Sequence, residues 1–411
     1  MRAIYFRLCS VALMINRLPL PLAKYYVVFG LGMLLVCLVI AFSFACLRSE
    51  PTPYVWHLPP GFPEPPVPPG NPMTVEKVEL GRHLFYEQQL SGNGLQSCAS
   101  CHQQELAFTD GVAMPVGSTG QVVNRNSMSL VNVAYNRHFT WAHNGLANLE
   151  QQILIPLFNE QPVEMGLTGA QERVLAALAS DKQYQALFSK AFPEAKSITM
   201  DNVVKALASF VRSIVSFRSA FDRYAYYGDD SALSEQALEG LALFMSERLE
   251  CRHCHSGFNF ADTSQHASEK GEPDAFHVTG LYYPLGSSLQ PQLQSVLAGI
   301  EVDRGLYHVS GVETDKDRFR APSLRNIAVT APYMHDGSIQ SLEEVLDFYS
   351  SAGRPAIYDG FGDGRLHPHK SLFIKGFSLT EAEKAALIAF FLSLTDNDVL
   401  SEARWSQPRN D

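Results

Sequence analysis

The sequence has little cysteine, and the positions of its cysteines exclude a disulfide framework. Seven occur among 411 residues, and three of them (Cys9, Cys37 and Cys46) lie in the apolar N-terminal region. The other four form two Cys-x-x-Cys pairs, so no cysteine beyond residue 50 is left over. The chain is therefore not one of the small secreted domains that disulfides hold together. Its stability must come from buried apolar surface, and 46% of its residues are hydrophobic.

Basic runs and alternating strand patterns are also absent beyond residue 50. The net charge is −10, from 42 acidic and 32 basic residues. A chain without clustered positive charge lacks the feature that attracts phosphate backbones, which argues against nucleic acid as a partner. No stretch shows a convincing two-residue alternation of apolar and polar side chains. The sequence therefore predicts a mostly α fold.

Two short motifs carry the strongest chemical signal, Cys98-Ala99-Ser100-Cys101-His102 and Cys251-Arg252-His253-Cys254-His255. Cys-x-x-Cys-His is the attachment site of a c-type haem. The two thiols bond to the porphyrin, and the imidazole that follows becomes an axial ligand of the iron. A zinc site or a redox pair is the alternative, but zinc ribbons separate their pairs by about 15–20 residues, whereas these pairs lie far apart. We therefore expect two covalently bound haem c groups.

The N-terminus predicts export across a membrane. Four basic residues precede residues 25–47, which carry no charge. Such a run is long enough to span a bilayer, with the basic flank on the inner side. A cleaved signal peptide is the rival reading, because Ser43-Phe44-Ala45 is a passable cleavage site, and a lipoprotein would use Cys46. Each reading predicts a periplasmic protein, either secreted or tethered to the inner membrane by residues 25–47, with no other contact to the membrane.

The composition divides the chain into four segments. Residues 1–50 form the signal or transmembrane anchor, and residues 51–73 form a Pro-rich tether. Residues 74–228 follow as an N-terminal haem domain, and residues 229–411 as a C-terminal haem domain. The fold we expect is mostly α, with two cytochrome-c-like haem domains after the N-terminal segment.

Helix signals refine this division. Thr199 is placed as an N-cap, and capping boxes begin at Ser341 and Thr380. The helix after Ser341 has an apolar stripe at helical spacing that includes Tyr349, so this phenol is predicted to face inward. Residues 222–230 are interpreted as the link between the haem domains. Beyond the two haem motifs we find no internal repeat.

The order of the motifs resembles the bacterial di-haem cytochrome c peroxidase and MauG family over residues 75 to 395. The segments that carry the resemblance are CASCH, RNSMSLVNVAYN, FTW, LEQQ, PVEMG, CRHCH, FRAPSLRNIAVTAPYMHDGS and LEEVLDFY. The leading stretch WHLPPGFPEPPVPPGNPM and the run LSGNGLQSCASCH are most similar to the MbnH-like, tyrosine-ligated branch. The resemblance implies that the N-terminal haem reacts with peroxide and that the C-terminal haem transfers electrons.

The resemblance also implies roles for residues around the first haem. Where peroxidases of the family have a distal histidine, this chain has Ser118, as in the MauG branch with its open first haem. Glu164 matches the distal acid, which would move a proton between the two oxygens of peroxide. A surface glutamate in a loop is the alternative. Gln152 matches the distal amide, although Gln151 adjoins it.

Trp141 matches the tryptophan that lies between the two haems of the family and carries an electron hole. A core aromatic is the alternative reading. MauG relays oxidising equivalents to its protein substrate through a tryptophan two residues before the second haem motif, and this chain has Leu249 there. A relay must therefore take another route, for which Tyr282 and Tyr283 are candidates.

The second iron has two candidate ligands. The family places Met or Tyr at a fixed distance after the His of its Tyr-x-His-Asp-Gly motif, and counting from His335 gives Tyr349. A phenolate ligand lowers the potential of the iron, as MauG-like members require, whereas a thioether raises it. Met334 is the competing ligand, and a buried tyrosine bonded to a haem propionate is a third reading.

Asn126, Thr330 and Pro332 match the calcium site that the family has between its haem domains. Side-chain and backbone oxygens are suitable ligands for this hard cation. We therefore expect one Ca2+ between the domains.

These observations predict a peroxide-dependent di-haem oxidoreductase with H2O2 as substrate. By resemblance to MauG and MbnH-like enzymes, it would oxidise a partner protein, such as a copper-binding protein, at a tryptophan side chain through a high-valent di-haem state. The first alternative is a cytochrome c peroxidase that removes H2O2 with electrons from a small redox protein. The second is a di-haem electron-transfer cytochrome without catalysis.

Overall fold

Helices make up most of the regular structure in the computed structural model, which describes residues 50–268, 275–284, 303–356 and 361–409. The α-helices are Val75–Phe85 (α1), Cys98–Cys101 (α2), Leu149–Phe158 (α3), Gln171–Ser180 (α4), Lys182–Ala191 (α5), Met200–Ser213 (α6), Ala220–Tyr227 (α7), Glu235–Phe244 (α8), Tyr307–Ser310 (α9), Leu342–Ser350 (α10) and Glu381–Ser393 (α11). Two antiparallel pairs of very short strands accompany them, Phe276–His277 (β1) with Phe319–Arg320 (β3) and Tyr283–Pro284 (β2) with Phe361–Gly362 (β4). The prediction of a mostly α fold is confirmed.

The predicted helix starts are present. Thr199 accepts a hydrogen bond from the backbone N–H of Asn202 at the start of α6. Thr380 and Glu383 form a reciprocal capping box at the start of α11. The capping box predicted at Ser341 is only half formed, because the carboxylate of Glu344 accepts from the N–H of Gln340 instead.

The predicted interdomain link is mostly a helix. Residues 220–227 form α7, which ends at Gly228 in the left-handed conformation. Its polar residue Asp222 is buried and forms an ion pair with Arg325 at 2.8 Å, and both side chains are fully inaccessible. The buried pair was not expected, because a buried acid with a distant partner looks like a surface acid in the sequence.

Two pairs of crossed helices form the centres of two hydrophobic clusters. α1 packs on α6 in the first cluster, and α8 packs on α11 in the second. A glycine lies at each crossing, where a β-carbon on Gly81 would be 2.0 Å from the carbonyl oxygen of Ala206 and one on Gly240 would be 2.0 Å from that of Ala386. Both helix pairs therefore approach too closely for any larger residue.

A turn after each haem motif shows that the prediction of no further repeat was wrong. Residues 129–134 read SLVNVA and residues 323–328 read SLRNIA. Asn132 and Asn326 both adopt the left-handed conformation, with φ of 58° and 61°, and each begins a 3-10 turn. Their N–H groups donate to the first residue after α6 and after α11, Ile214 and Leu394. The sequence of helix, haem motif, asparagine turn and helix thus occurs twice.

The Pro-rich segment, which is predicted to be an extended tether, contacts the helical body. The N–H of Val75 donates to the carbonyl of Thr52 at 2.9 Å, and the ring of Phe62 packs on Phe217 at a centroid distance of 4.5 Å. Asn71 is buried and accepts a hydrogen bond from the ammonium of Lys77. The aromatic and amide groups between the prolines thus make buried contacts, although the prolines stiffen the segment.

Contacts divide the chain into Met1–Pro51 and Thr52–Asp411. Within the four described ranges, no helix combines the length and the apolar character that crossing a bilayer requires. The predicted anchor at residues 25–47 lies outside the described residues, as do Cys9, Cys37 and Cys46.

Candidate functional site

The first haem motif ends in a fixed, neutral imidazole. Cys98 and Cys101 are the ends of the one-turn helix α2, and His102 follows it directly. The Nδ1–H of His102 donates to the carbonyl oxygen of Phe108 at 2.9 Å. Burial lowers the pKa of His102, which favours the neutral ring. Because Nδ1 carries the proton, the lone pair of Nε2 is available to a metal.

The second motif repeats this arrangement. Cys251–His253 form a 3-10 turn, and the Nδ1–H of His255 donates to the carbonyl oxygen of Phe260 at 3.1 Å. Burial lowers the pKa of His255 as well. Phe108 and Phe260, the two acceptors, both have positive φ angles. The unusual backbone at these phenylalanines turns a carbonyl toward the imidazole of each motif.

The two motifs line two different cavities. Cys98, Cys101 and His102 line the first cavity, of about 1430 Å³. Cys251, Cys254 and His255 line the second, of about 220 Å³. A single four-cysteine zinc site would require all four sulfur atoms to meet, and the structure keeps the pairs apart. Each cavity instead contains the two thiols and the imidazole of one motif, which together are the donor set of a c-type haem.

Glu164 lines the first cavity at some distance along the chain from the motif. Burial raises the pKa of its carboxyl to about 7. Its backbone is fixed, since the N–H of Ser118 donates to the carbonyl of Glu164 at 2.7 Å. Gly117 allows this close pairing, because a β-carbon there would be 1.8 Å from the carbonyl oxygen of Val163. A carboxyl that is half ionised near neutral pH can both accept and return a proton.

The helix α3 separates the two neighbouring glutamines. Gln152 lines the first cavity. Gln151 is exposed, and its side-chain oxygen accepts from the N–H of Ala147. Ser118 does not line the cavity, and its buried hydroxyl has no hydrogen-bond partner among the described residues. Gln152 and Glu164 thus line the first cavity, and Ser118 does not.

Trp141 lines both cavities. Its indole N–H donates to the backbone carbonyl of Asn126 at 2.8 Å, and its own carbonyl accepts from the N–H of Arg320. One hydrogen bond therefore holds the indole and another holds the backbone of Trp141, at the boundary of the two sites. No sequence pattern showed this contact with Asn126.

Both candidate ligands of the second iron line the second cavity. Desolvation raises the pKa of Tyr349, and the nearby sulfur atoms of Cys254 and Cys251 add to the shift. The phenol therefore keeps its proton unless a positive charge such as iron stabilises the phenolate. Met334 lines the same cavity and has a positive φ of 74°.

The three predicted calcium ligands, Asn126, Thr330 and Pro332, all line the second cavity. The side-chain N–H of Asn126 donates to the carbonyl of Val112, and the hydroxyl of Thr330 donates to that of Ile327. The oxygen atoms of this set remain suited to a hard cation.

The predicted relay candidates differ in their surroundings. Leu249 is buried and lines the second cavity, so an apolar side chain occupies the position of the relay tryptophan. Tyr282 lines the first cavity, and its hydroxyl donates to the carboxylate of Asp336 at 2.6 Å. Tyr283 lies in β2 and packs on His367 instead. Asp336 was missed in the sequence, although it follows His335 in a motif that carried the resemblance.

A stacked pair and an ion pair were also missed. Phe319 and His335 stack at 3.7 Å with an interplanar angle of 11°, and both line the two cavities. His277 contacts the carboxylate of Asp262 at 2.6 Å beside the second motif, and this acid contributes to raising the pKa of His277 to about 10 despite burial. These pairs join distant segments, so no local signal could have revealed them.

Known proteins are similar to this chain in sequence. A family model described as di-haem cytochrome c peroxidase matches residues 75–231. The methylamine utilization protein MauG of Methylorubrum extorquens is 34% identical over 330 residues, which is 80% of this chain and 81% of the relative. Cytochrome-c peroxidase IdrP1 of Pseudomonas sp. is 33% identical over 406 residues, 94% of each chain.

A solved structure extends the likeness to three dimensions. The crystal structure of a MauG-like protein associated with microbial copper homeostasis is 42% identical, with a TM-score of 0.80, and covers 86% of this chain and 99% of that one. The chain therefore belongs to the di-haem cytochrome c peroxidase and MauG family, and is a peroxide-dependent oxidoreductase with two haems.

Proposed function

We propose that this oxidoreductase uses H2O2 to oxidise a partner protein at long range, in the manner of the MauG and MbnH-like branch. The observation that carries the proposal is the position of Trp141, which lines both cavities. A residue at the boundary of two sites is of use when oxidising equivalents are shared between them. The 42% identity to a MauG-like protein associated with copper homeostasis supports a substrate such as a copper-binding protein.

The two motifs would hold the cofactors. Cys98 and Cys101 would bond to the first porphyrin and Cys251 and Cys254 to the second, and His102 and His255 would bind the irons. When bound, the haems supply the reaction with H2O2 and store its oxidising equivalents. The carbonyl groups that fix both Nδ1 atoms orient the two imidazoles and strengthen them as ligands.

Glu164 would act as the proton carrier of the first site. With a pKa of about 7, its carboxylate can take the proton from the inner oxygen of peroxide and pass it to the outer oxygen. Gln152, on the same cavity, would orient peroxide through its amide.

Tyr349 would be a further ligand of the iron that His255 would hold. The phenol lines the cavity and lies near both motif cysteines. Asn126, Thr330 and Pro332 would bind Ca2+, and the backbone of Asn126 would tie this ion to the indole of Trp141.

The N-terminal segment would place the enzyme in the periplasm. Residues 25–47 would serve as a signal or as a tether to the inner membrane, and the protein would have no other attachment to the membrane.

Peroxide removal with a small redox-protein donor is the second candidate function. A relative that covers 94% of this chain is named a cytochrome-c peroxidase, which favours this candidate. The third hypothesis, an electron-transfer cytochrome without catalysis, disagrees with membership of a peroxidase family.

The test is mass spectrometry of the protein encoded in the neighbouring reading frame, after incubation with the holoenzyme and H2O2. We expect oxidation of one tryptophan that requires both enzyme and peroxide. An unmodified partner, together with rapid oxidation of a small cytochrome or copper protein, would favour peroxide removal instead. Enzyme without peroxide and peroxide without enzyme serve as controls.

A further inference from the structure

The half-buried side chain of Tyr282 lies at the wall of the first cavity and between two charged groups. Its hydroxyl donates to Asp336 at 2.6 Å and accepts from the guanidinium of Arg354 at 2.9 Å. The same guanidinium lies over the phenol ring, 5.1 Å from its centroid. The ring is therefore held in place, and the carboxylate of Asp336 accepts the phenol proton in a hydrogen bond.

A bonded path joins this tyrosine to Trp141. The indole N–H of Trp141 donates to the carbonyl of Asn126 at 2.8 Å, and the N–H of Asn126 donates to the carbonyl of His335 at 2.7 Å. Asp336 follows His335 in the chain and accepts from Tyr282. Electrons tunnel more readily through such a series of covalent and hydrogen bonds than across gaps between atoms.

We propose that Tyr282 is the relay through which oxidising equivalents leave the haem pair, in place of the relay position that Leu249 occupies. In this step the phenol loses one electron to the peroxide-oxidised haem pair and its proton to the carboxylate of Asp336. The O–H bond breaks, a neutral phenoxyl radical remains, and Asp336 becomes a carboxylic acid. An electron from the partner protein and the proton from Asp336 then restore the phenol.

The position of Tyr282, Asp336 and Arg354 suits a route by which oxidising equivalents leave the protein. Arg354 also donates to the hydroxyl of Ser338, which is exposed, so the cluster extends from the cavity wall to the surface. Tyr184 offers a matched comparison, because its hydroxyl donates to the carboxylate of Glu87 at 2.8 Å but its ring lines neither cavity. A phenol–carboxylate pair alone is thus present elsewhere, and only Tyr282 combines it with the path to Trp141 among the residues described.

The test treats the holoenzyme with H2O2 without any partner and follows radicals by freeze-quench electron paramagnetic resonance. A nitroso spin trap and peptide mass spectrometry then locate the adduct. We expect a tyrosyl signal and an adduct on Tyr282 in the wild type and in Tyr184→Phe. In Tyr282→Phe the signal should fall by more than about tenfold, and in Asp336→Asn it should form more slowly, with unchanged spectra of the resting haems.

Wild-type enzyme that gives no adduct on the Tyr282 peptide would overturn the proposal, and this result does not depend on the folding of any variant. An equal tyrosyl signal in Tyr282→Phe would do the same. The relay proposal rests on the proposed function, but different results would overturn the relay and the oxidation of a partner protein. If Tyr282→Phe oxidises the partner protein as fast as the wild type, the relay is wrong and partner oxidation stands. If the Tyr282 radical forms and no partner is oxidised, partner oxidation is wrong.

Discussion

The indole N–H of Trp141 donates to the backbone carbonyl of Asn126, and both residues line the two cavities that contain the haem motifs. An oxidisable ring is thus fixed by a residue of the predicted calcium set. The contact links three predicted features of the chain, the bridge, the ion site and the pair of haems.

Replacing Trp141 with phenylalanine should slow the transfer of oxidising equivalents between the two haems. Phenylalanine keeps an aromatic ring but is much harder to oxidise and has no N–H for Asn126. After H2O2 is added, the spectral change of the second haem should slow by more than about tenfold, which is about 1.4 kcal/mol of barrier. Stopped-flow spectroscopy measures this rate. The control is Trp56→Phe, since Trp56 packs against the buried cluster of Tyr135, Val215 and Phe217 and lines neither cavity, and equal rates in both variants would refute the bridge.

Glu164→Gln should remove a pH dependence. The pKa of Glu164 is raised to about 7 by burial, so its carboxylate form, the proton acceptor, accumulates as the pH rises through 7. The rate of the reaction with H2O2 should therefore rise between about pH 6 and pH 8 in the wild type. In the glutamine variant it should be about a hundredfold lower and flat over this range.

The same substitution should also change how the free energy of unfolding depends on pH. Because the folded-state pKa lies above the usual value, Glu164 contributes stability at low pH that is lost as the pH rises to about 7. Thermal unfolding of the wild type relative to Glu164→Gln should show this loss. The exposed Glu160→Gln is the control. A pH-rate profile that persists in Glu164→Gln would show that another group titrates.

Tyr349→Phe should change the ligation of the second iron. Removing the phenol oxygen takes away the proposed ligand while the ring still fills the helix face of α10. The resting ferric spectrum should shift, and Met334→Leu should leave that spectrum unchanged. Electron paramagnetic resonance of the two variants distinguishes the candidates. The opposite result, a change in Met334→Leu alone, would assign the site to the thioether.

Gly240→Ala should destabilise the second helix pair. The added β-carbon would be 2.0 Å from the backbone oxygen of Ala386, and backbone cannot rotate away as a side chain can. Overpacking of this kind costs about 1–3 kcal/mol, which thermal unfolding detects. Gly70→Ala is the control, because nothing lies within 4 Å of its β-carbon. Equal melting temperatures for the two variants would mean that α8 and α11 can move apart freely.

The sequence predicted the parts of the site that depend on local spacing. The haem motifs, the cap at Thr199 and the inward face of Tyr349 follow from patterns within a few residues. The choice of Gln152 over Gln151 needed the phase of α3 relative to the cavity. Contacts such as Trp141 with Asn126 depend on the path of the whole chain, and no local pattern encodes them.

The fold shows a similar limit. The repeat of SLVNVA and SLRNIA was present in the letters, but its meaning depends on matching hydrogen bonds of Asn132 and Asn326 to two different helix ends. The buried pair of Asp222 and Arg325 was hidden because charged residues are expected at the surface. The contacts of the Pro-rich segment were not predicted, because its composition describes stiffness and not the surface that it covers.

The most direct test of the shared use of two haems is a titration of the resting ferric holoenzyme with H2O2, without prior reduction. Our account predicts that one equivalent of H2O2 changes the spectra of both haems together, with Trp141→Phe delaying the second. A holoenzyme in which only the first haem responds, or in which neither responds until one haem has been reduced, would contradict it.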